Sequence, residues 1–535
     1  MIRIKIFLST FLLIFLVSCY EKDFLKDELL SNNSVDFLYS SPEGISNAVV
    51  GLYSLNREPY QRDWFNGAIP LILQAKSDIS AGVDGEISLF SNCFWGCGLG
   101  ADYGTEAAYG YFWGHNYKII DIANSIIKGA NILIEAGNSD PSLLKDISEA
   151  KTFRAHSYFT LYRLFNNIYI KTEPTSPSTA FDRPNEKSSE EEIFKLIRDD
   201  LEFASQNLKY SSSQFGRWTK GSVDHLRAKV EMWQNNYEKA SNIVDSIIDN
   251  GPYSLVDINK VFEGELNHSE TLFAINFEKN TIGGGAWHQL NWQTVAHYSA
   301  VPGLTQSIEN GGDGFGFITL NPYAVDLINE DLNDKRKNSY YIFEYLYNDE
   351  KTLPSGKKLG DPLDLYQNKA QNDDFFMYFK RQSPGILKFF DPDVDPTDRM
   401  HFKNIMVYRL AETYLIGAEA HLESGNAAKA LEYLNAVRLR AGVAPESIAT
   451  IKNIFEERAR ELAFEGQRWF SLKRKGLLYE YLMDHMNSPL LNEYYSRNHV
   501  NPKEEYKPHM INLPIPQGVI DLLGAGYPQN EGYNQ

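Results

Sequence analysis

Cysteine is scarce in this chain of 535 residues, which contains only Cys19, Cys93 and Cys97. A zinc site takes several cysteine or histidine ligands, and no further ligand of this kind lies close to Cys93 and Cys97 in the sequence. Outside the cytoplasm these two residues could form a disulfide that stiffens the loop around Trp95, or they could remain free thiols. The cysteine content therefore does not indicate a metal centre.

Long hydrophobic runs are also missing. The apolar run over residues 6–17 has 12 residues, fewer than the roughly 20 that a transmembrane helix needs. Because Arg3 and Lys5 precede it, the run is typical of an export signal, which we place at residues 1–18. It ends in Leu16-Val17-Ser18-Cys19, which resembles the bacterial lipobox, in which the cysteine thiol is lipidated and becomes the mature N-terminus. An ordinary signal peptide with an incidental cysteine is the alternative.

Basic residues are in the minority, because 52 Lys and Arg residues stand against 70 Asp and Glu residues and the formal net charge is −18. A surface of this sign repels phosphate backbones, so nucleic acid is not expected as a partner. Aromatic residues are plentiful, at 13% of the chain. Protein cores rarely need so many tyrosines, so we expect some of the rings in solvent-accessible clefts or interfaces.

Sequence motifs of common enzyme active sites are also missing. The sequence has no Gly-x-Ser-x-Gly elbow, no phosphate-binding loop and no His-Glu-x-x-His motif, and its 11 histidines are scattered. A glycosidase needs two facing carboxylates, but among 70 acidic residues some pair can always be found, so their presence discriminates nothing. We predict a protein that is not an enzyme.

Hydrophobic periodicity predicts a mostly all-α protein. Apolar residues recur at helical spacing over about 41–55, 115–251 and 401–480, and these stretches form the predicted helical scaffold. Residues of about 56–112 and 252–400 are loop-rich, with few short strands expected, and long irregular insertions usually carry function. Residues 19–40 are interpreted as a lipidated tether, and 41–535 as a single body.

Two stretches have the form of a helix pair. A helix of about 220–234 turns at Asn235-Asn236 into a second helix, and a helix of about 404–423 turns at Gly425-Asn426 into one of about 427–441. Each unit is about 34 residues long, the length of a tetratricopeptide-type helix pair. The pattern indicates a fold and not a function, because such pairs support many activities.

A further helix is predicted over about 451–474. Its charged residues Glu457, Arg458, Arg460 and Glu461 are spaced for ion pairs along the helix. Trp469 is expected to pack between helices as a core residue.

Four segments in the C-terminal part carry a family pattern. They are Tyr408-Arg409-Leu410-Ala411-Glu412-Thr413-Tyr414-Leu415-Ile416, Ala430-Leu431-Glu432-Tyr433-Leu434-Asn435-Ala436-Val437-Arg438, Glu457-Arg458-Ala459-Arg460-Glu461-Leu462-Ala463-Phe464-Glu465-Gly466-Gln467-Arg468-Trp469-Phe470 and Leu513-Pro514-Ile515-Pro516. In this order they resemble the SusD/RagB family of outer-membrane nutrient-binding lipoproteins. The resemblance is dense over 404–516, and the lipobox and helix pairs extend it along nearly the whole chain.

The resemblance implies a tetratricopeptide-like helical body whose loop-rich half holds the ligand. It also implies a partner, a TonB-dependent outer-membrane transporter of the SusC type, and a cell-surface position through the lipid on Cys19. The implied ligand is an oligosaccharide, and a peptide is the alternative within the same family. No cofactor is implied.

Aromatic residues in the loop-rich parts are the predicted ligand contacts. A pyranose stacks its C–H face on a flat ring, while carboxylate, amide or Arg groups bind the hydroxyls at its edge. One stacked ring buries about 50 Å² and contributes on the order of 1 kcal/mol, so several rings are needed. The predicted residues are Trp64 with neighbouring Asp63 and Asn66, Trp95, Trp287 and Trp292, with Tyr103 and Asp78 as weaker candidates by proximity.

Alternatives remain for two features. The alternating aspartates of residues 391–398 resemble the start of a calcium loop, but Pro396 replaces the expected glycine and Phe402 the expected glutamate, so a solvated acidic turn is favoured over a structural calcium site. For the whole chain, a surface glycoside hydrolase and a scaffold that binds a protein segment are the alternatives to nutrient binding.

Overall fold

The structure, a computed structural model, describes residues 38–61, 69–82, 103–280, 286–363, 380–486, 507–524 and 526–533. Several predictions lie outside the described residues. They concern the signal and tether of residues 1–37, the possible disulfide, and the residues Asp63, Trp64, Asn66 and Trp95.

Helices dominate the described chain, which confirms the predicted fold class. In chain order they are α1 (Pro42–Leu55), α2 (Ile69–Ala75), α3 (Tyr103–Glu135), α4 (Pro141–Phe165), α5 (Glu190–Asn207), α6 (Lys220–Trp233), α7 (Tyr237–Asn250), α8 (Leu290–Thr294), α9 (Pro322–Asn329), α10 (Arg336–Ser339), α11 (Leu410–Glu423), α12 (Ala427–Arg440), α13 (Ile451–Leu462), α14 (Arg468–Lys475), α15 (Leu478–His485) and α16 (Gln517–Leu523). Short 3₁₀ turns span Ile258–Lys260, Tyr298–Ala300, Glu350–Thr352 and Pro508–Ile511.

Short strands form three antiparallel pairs. Strand β1 (Ser80–Gly82) pairs with β3 (Ile318–Leu320), β2 (Thr271–Ile275) with β6 (Ile405–Arg409), and β4 (Tyr341–Ile342) with β5 (Gly385–Ile386). The β2–β6 register places Thr271 opposite Arg409 and Ile275 opposite Ile405. This pair therefore joins the start of the loop-rich insertion to its end.

The helices stack in series. Helix α3 packs on α4, α4 on α5, α5 on α6 and α6 on α7. After α7 the chain leaves the stack for the loop-rich insertion, and it returns through β6 to α11, which packs directly on α7 and on α12. The insertion thus interrupts the sequence of the scaffold but not its packing.

The contact between the two helix pairs depends on a small residue. Gly417 of α11 faces both α7 and α12, and a Cβ atom at this position would lie 2.6 Å from Cδ2 of Tyr433 and 2.7 Å from Cγ1 of Val244. Ala418 and Ala420 beside it are fully buried. These small side chains let the neighbouring helices approach closely, as tetratricopeptide-like stacking requires.

Helix α3 starts earlier than predicted. The sequence indicated loops up to about residue 112, whereas α3 begins at Tyr103. Glycines at 104, 110 and 114 weaken the helical pattern there, since glycine is the poorest helix former after proline. Burial compensates for this low propensity, because Tyr109, Phe112 and Trp113 are all packed in the main hydrophobic core.

The predicted helix of about 451–474 is two helices. The chain turns between α13 and α14 at Phe464 and Gly466, whose φ angles are 66° and 74°. A positive φ is unfavourable for a residue with a side chain, so the turn at Phe464 has to be held by its surroundings. It directs the carboxylate of Glu465, between them, towards Arg409 and Lys388.

The charged residues of α13 make mostly tertiary ion pairs, and one of the predicted pairs along the helix also forms. Glu457 Oε1 accepts from Arg336 Nη1 at 2.6 Å, and Glu461 Oε1 accepts from Arg409 Nη1 at 2.6 Å. Within the helix, Arg460 pairs with Glu457 at 3.5 Å and Lys452 with Glu456 at 3.8 Å. The sequence spacing could not show this, because the partners lie more than 50 residues away.

Trp469 is 1% exposed, which confirms its predicted place in the core. Among the described helices, none is both long and apolar enough to span a bilayer.

Candidate ligand-binding cleft

An open cleft of about 1120 Å³ lies between the helical scaffold and the loop-rich half. The end of α1, residues 214–217 between α5 and α6, and residues 263–267 form one part of its wall. Strand β2 and residues 276–279 after it, the acidic turn of 391–394, and residues 402–404 before β6 form the rest. Side chains that are far apart in sequence therefore meet around the β2–β6 pair.

The lining combines amides, charges of both signs and aromatic rings. Five carboxylates and four cationic side chains line the cleft, so its net charge is close to zero although the whole chain carries −18. The carboxylates are Glu263, Glu265, Glu278, Asp391 and Asp393, and the cations are Arg57, Arg217, Lys279 and Lys403. Such a lining offers many hydrogen bonds without selecting strongly for an ion of one sign.

Arg57, just after α1, is a cation of the cleft with few contacts to the rest of the described protein. It is half-buried, and its Nη2 donates to Ser54 Oγ at 3.1 Å. No carboxylate of the described residues lies within ion-pair distance of it. Partial burial lowers the pKa of Arg57, but an arginine remains charged at neutral pH. Its free donors are therefore available to a ligand.

Other polar groups of the cleft are held in place by the protein. Arg217 donates from Nη1 to Glu149 Oε2 at 2.8 Å and packs over the Tyr53 ring at 4.8 Å. Asn404 donates from Nδ2 to the Glu265 carbonyl at 2.9 Å. Lys403 is buried and donates from Nζ to the Phe390 carbonyl at 2.6 Å, and burial lowers the pKa of Lys403 to about 8. The cleft therefore has a fixed rim.

Two phenylalanine rings, Phe215 and Phe402, are half-buried in the cleft wall and keep part of their surface open. Nζ of Lys279 lies 5.9 Å from the centroid of the Phe402 ring. A partly exposed ring with charged neighbours suits a sugar ring, because the pyranose has an apolar face and a hydroxyl rim.

The acidic turn of residues 391–398 is stabilised by its own backbone. Asp391 Oδ1 accepts from the Asp393 N–H at 3.1 Å, and Asp395 Oδ1 accepts from the Thr397 N–H at 2.9 Å. Among the described residues, no group of three or more metal-ligating side chains is assembled. The turn contributes two carboxylates to the cleft, which the sequence did not suggest.

Two of the predicted aromatic residues have described positions. Trp287 is half-buried and follows Ala286, which lines the cleft and pairs with Glu278. Trp292, on α8, is only 3% exposed. Its ring lies 5.1 Å from both Phe315 and Phe317, so Trp292 packs in the core and offers no open face to a ligand. The prediction of Trp292 as a stacking platform is corrected accordingly.

The weaker candidates have different positions. Tyr103 is the first residue of α3. Asp78 is fully buried and accepts from Nε and Nη2 of Arg468, both at 2.7 Å, and from Nδ1 of His485 at 2.8 Å. Burial alone would raise the pKa of Asp78, but the adjacent Arg468 charge and these hydrogen bonds outweigh it and lower the pKa to about 2. Asp78 is therefore a structural ion-pair residue and does not contact the cleft.

The fold and the cleft define the class of protein: a tetratricopeptide-like helical scaffold that carries a loop-rich half with a large polar and aromatic cleft. The family model of the SusD family matches residues 234–533, and the chain belongs to that family.

Individual relatives agree with this membership. A SusD-like protein of Formosa agariphila is 26% identical over 538 residues, which cover 94% of each chain. Among solved structures, a laminarin-binding SusD-like protein has a TM-score of 0.68 at 22% identity, covering 92% of this chain and 99% of its own. A SusD homologue from Bacteroides thetaiotaomicron has a TM-score of 0.73 at 19% identity, covering 96% of this chain and 100% of its own. At these identities the solved structures demonstrate a shared fold.

Proposed function

We propose that this protein binds an oligosaccharide at the outer membrane and delivers it to a SusC-type TonB-dependent transporter, without breaking bonds in the ligand. The observation that carries the proposal is the lining of the cleft, in which half-open aromatic rings lie beside arginine, amide and carboxylate groups. Solved relatives named for binding laminarin or surface glycans support the same ligand class.

The near-neutral lining favours a neutral, hydroxyl-rich ligand. A hydroxyl can donate to Asp391 or Glu278 and accept from Arg57 or Lys279, so a glycan can use both signs of charge at once. Each stacked ring contributes only about 1 kcal/mol, so affinity has to come from several rings. We propose that Trp64, Trp95 and Trp287 add to Phe402 in this role, with Asp63, Asn66 and Tyr103 beside them.

The transporter and the membrane anchor belong to the same proposal. A lipid on Cys19 would hold the protein on the membrane beside its transporter. Tethering raises the effective concentration of a captured ligand at the transporter, so a weak binding site becomes sufficient for uptake.

A glycan array and calorimetry on the protein without residues 1–19 test the ligand class. Phe402→Ala is expected to weaken binding of the best glycan about fivefold, since the loss of one stacked ring removes about 1 kcal/mol. Arg57→Met is expected to weaken it as well, because the guanidinium donors of Arg57 are lost. Phe181→Ala is the matched control, because Phe181 is 84% exposed and does not line the cleft.

Three results would contradict the proposal. Release of new reducing ends from polysaccharide would indicate a hydrolase. Binding of peptides without any glycan hit would change the ligand class. Equal glycan affinity of Phe402→Ala, Arg57→Met and the Phe181→Ala control would show that the ligand lies elsewhere.

A further inference from the structure

A second, smaller cavity of about 140 Å³ lies directly behind the cleft. Asn56 and Asn404 line both spaces, so the cavity adjoins the cleft floor. Most of its wall is apolar. Its apolar lining includes Leu73, Phe112, Ile119, Leu290, Met406 and Val407.

Arg163, on α4, is the exception in this wall. The residue is 5% exposed, and its guanidinium lies between the rings of Phe159 and Phe470, at 4.1 Å and 3.9 Å from their centroids. Its Nε donates to the Phe159 carbonyl at 3.1 Å, and Nη2 approaches Thr160 Oγ1 at 3.4 Å. The described residues provide no acceptor for Nη1 and no carboxylate within ion-pair distance.

This lack of a counter-ion distinguishes Arg163 from other buried arginines of the protein. Arg336, Arg409 and Arg468 each bind at least one buried carboxylate at 2.6–2.7 Å. Isolated buried charge is costly, and burial lowers the pKa of Arg163 to about 10, which still leaves it protonated at neutral pH. An anion would remove that cost.

Two neighbouring cations are already neutralised, and a third, Lys473, donates to the Arg163 carbonyl but does not line the cavity; burial and the Arg163 charge lower the pKa of Lys473. Lys388 at the cavity wall donates to Glu465 at 2.7 Å, and Lys229 donates to Glu412 at 2.6 Å. Arg163 is therefore the charge at this cavity that lacks a partner among the described residues.

Two further polar groups face the cavity with unused hydrogen-bonding capacity. The described residues give neither the His156 imidazole nor the Tyr60 hydroxyl a hydrogen-bond partner, and both side chains line the cavity. Burial lowers the pKa of His156 to about 3, so the ring is neutral at pH 7 and adds no second positive charge. A ligand bound here could receive a hydrogen bond from either group.

We propose that this cavity binds a small organic monocarboxylate with a compact apolar body, of about the size of benzoate, with its carboxylate on Arg163. The volume fits, since an apolar cavity of about 150 Å³ is known to bind benzene. The charge fits, because arginine binds carboxylates through parallel N–H donors. A sugar does not fit, because its hydroxyls would be left unpaired against the apolar wall.

Calorimetry with benzoate and its neutral isostere benzamide tests the proposal on the protein without residues 1–19. Benzoate is expected to bind with one site per chain and at least tenfold more tightly than benzamide. Arg163→Met is expected to remove this preference. Arg183→Met is the matched control, because Arg183 is exposed and lines neither the cleft nor the cavity.

A second variant locates the site. Val407 is the half-buried residue of β6 that faces the cavity, and Val407→Phe is expected to fill the space and abolish binding of both compounds. Equal affinity of the unmodified protein for benzoate and benzamide, or no binding of either, would overturn the proposal even if neither variant folds. Undiminished benzoate binding by folded Val407→Phe would overturn it as well.

Discussion

Replacing Arg409 by methionine tests how the loop-rich insertion is fixed to the scaffold. Arg409 ends strand β6, is 1% exposed, and donates five hydrogen bonds to the side chains of Glu270, Glu461 and Glu465 and to the Glu461 carbonyl. Methionine has a similar length, so it removes the charge and the donors while it fills most of the space. We expect a large loss of stability at neutral pH.

The magnitude follows from what remains after the change. Arg440 still binds Glu270 at 2.9 Å and also Glu461, Arg336 still binds Glu461 at 3.0 Å, and Lys388 still binds Glu465 at 2.7 Å. The carboxylates are therefore not left without any partner, but five hydrogen bonds and one positive charge are lost. Removal of one partner from a buried ion pair costs about 3–5 kcal/mol, and we expect about 4 kcal/mol here.

The loss of stability caused by Arg409→Met should depend on pH. Burial alone would raise the pKa of Glu461, but Arg440, Arg409 and Arg336 together hold it below its ordinary value. Such a carboxylate stabilises the folded protein above its unfolded-state pKa of about 4.3 and loses this contribution as the pH falls. The unfolded state is the same in both proteins, so their difference in stability should narrow only where Glu461 of the folded variant takes up its proton, which lies below about pH 4.3 because Arg440 and Arg336 still lower the pKa of Glu461.

Urea unfolding followed by circular dichroism at pH 7 and pH 4 measures both effects. Lys195→Met is the control, since Lys195 pairs with Asp199 on the exposed surface of α5 and its loss should cost at most about 0.5 kcal/mol. A loss below about 1 kcal/mol for Arg409→Met at pH 7, or a loss that is larger at pH 4 than at pH 7, would refute the reasoning.

Three further outcomes are expected in the same unfolding assay. Gly417→Ala should destabilise the protein by about 1–3 kcal/mol, because the new methyl group would overlap Tyr433 and Val244, and an unchanged unfolding midpoint would contradict the close helix approach. Trp218→Ala should cost about 3–5 kcal/mol, because this 2% exposed ring stacks at 3.8 Å on an aromatic neighbour; a cost near zero would be inconsistent with that packing. Asp78→Asn should cost about 3–5 kcal/mol at pH 7, and the difference should shrink as the pH falls from about 4 to about 2, since the pKa of Asp78 is lowered to about 2.

The scaffold could be predicted from the sequence because the patterns that indicate its helices lie within short segments of the chain. The turn at Gly425-Asn426 and the apolar stripe of α11 lie within one short segment, so periodicity and turn chemistry were enough to identify a helix pair. The prediction was wrong where tertiary contacts override local preference. The glycine-containing start of α3 is helical because its aromatic residues are buried. The turn at Phe464 has a positive φ, and no local pattern predicts it.

The cleft could be predicted only in outline. The sequence placed ligand contacts in the loop-rich parts, and Trp287 does lie next to a cleft residue, but Trp292 is buried. Arg57 and Phe402 were not identified as ligand contacts, because each belongs to a segment with an ordinary composition. Only the folded chain brings the two residues to the same cleft. The sequence of the acidic turn resembles the start of a calcium loop, and nothing in it indicates that the turn lies beside the cleft.

The β2–β6 pair connects the stability of the scaffold to the geometry of the cleft. At one end of the pair, Thr271 lies opposite Arg409, and the buried ion-pair network fixes the strands to α13. At the other end, Ile275 lies opposite Ile405, and the chain continues from both strands directly into the cleft wall. The pair has only two strands, which alone would be marginally stable in water. The ion-pair network therefore does more than stabilise the core, since it holds in register the two segments from which the cleft wall is built.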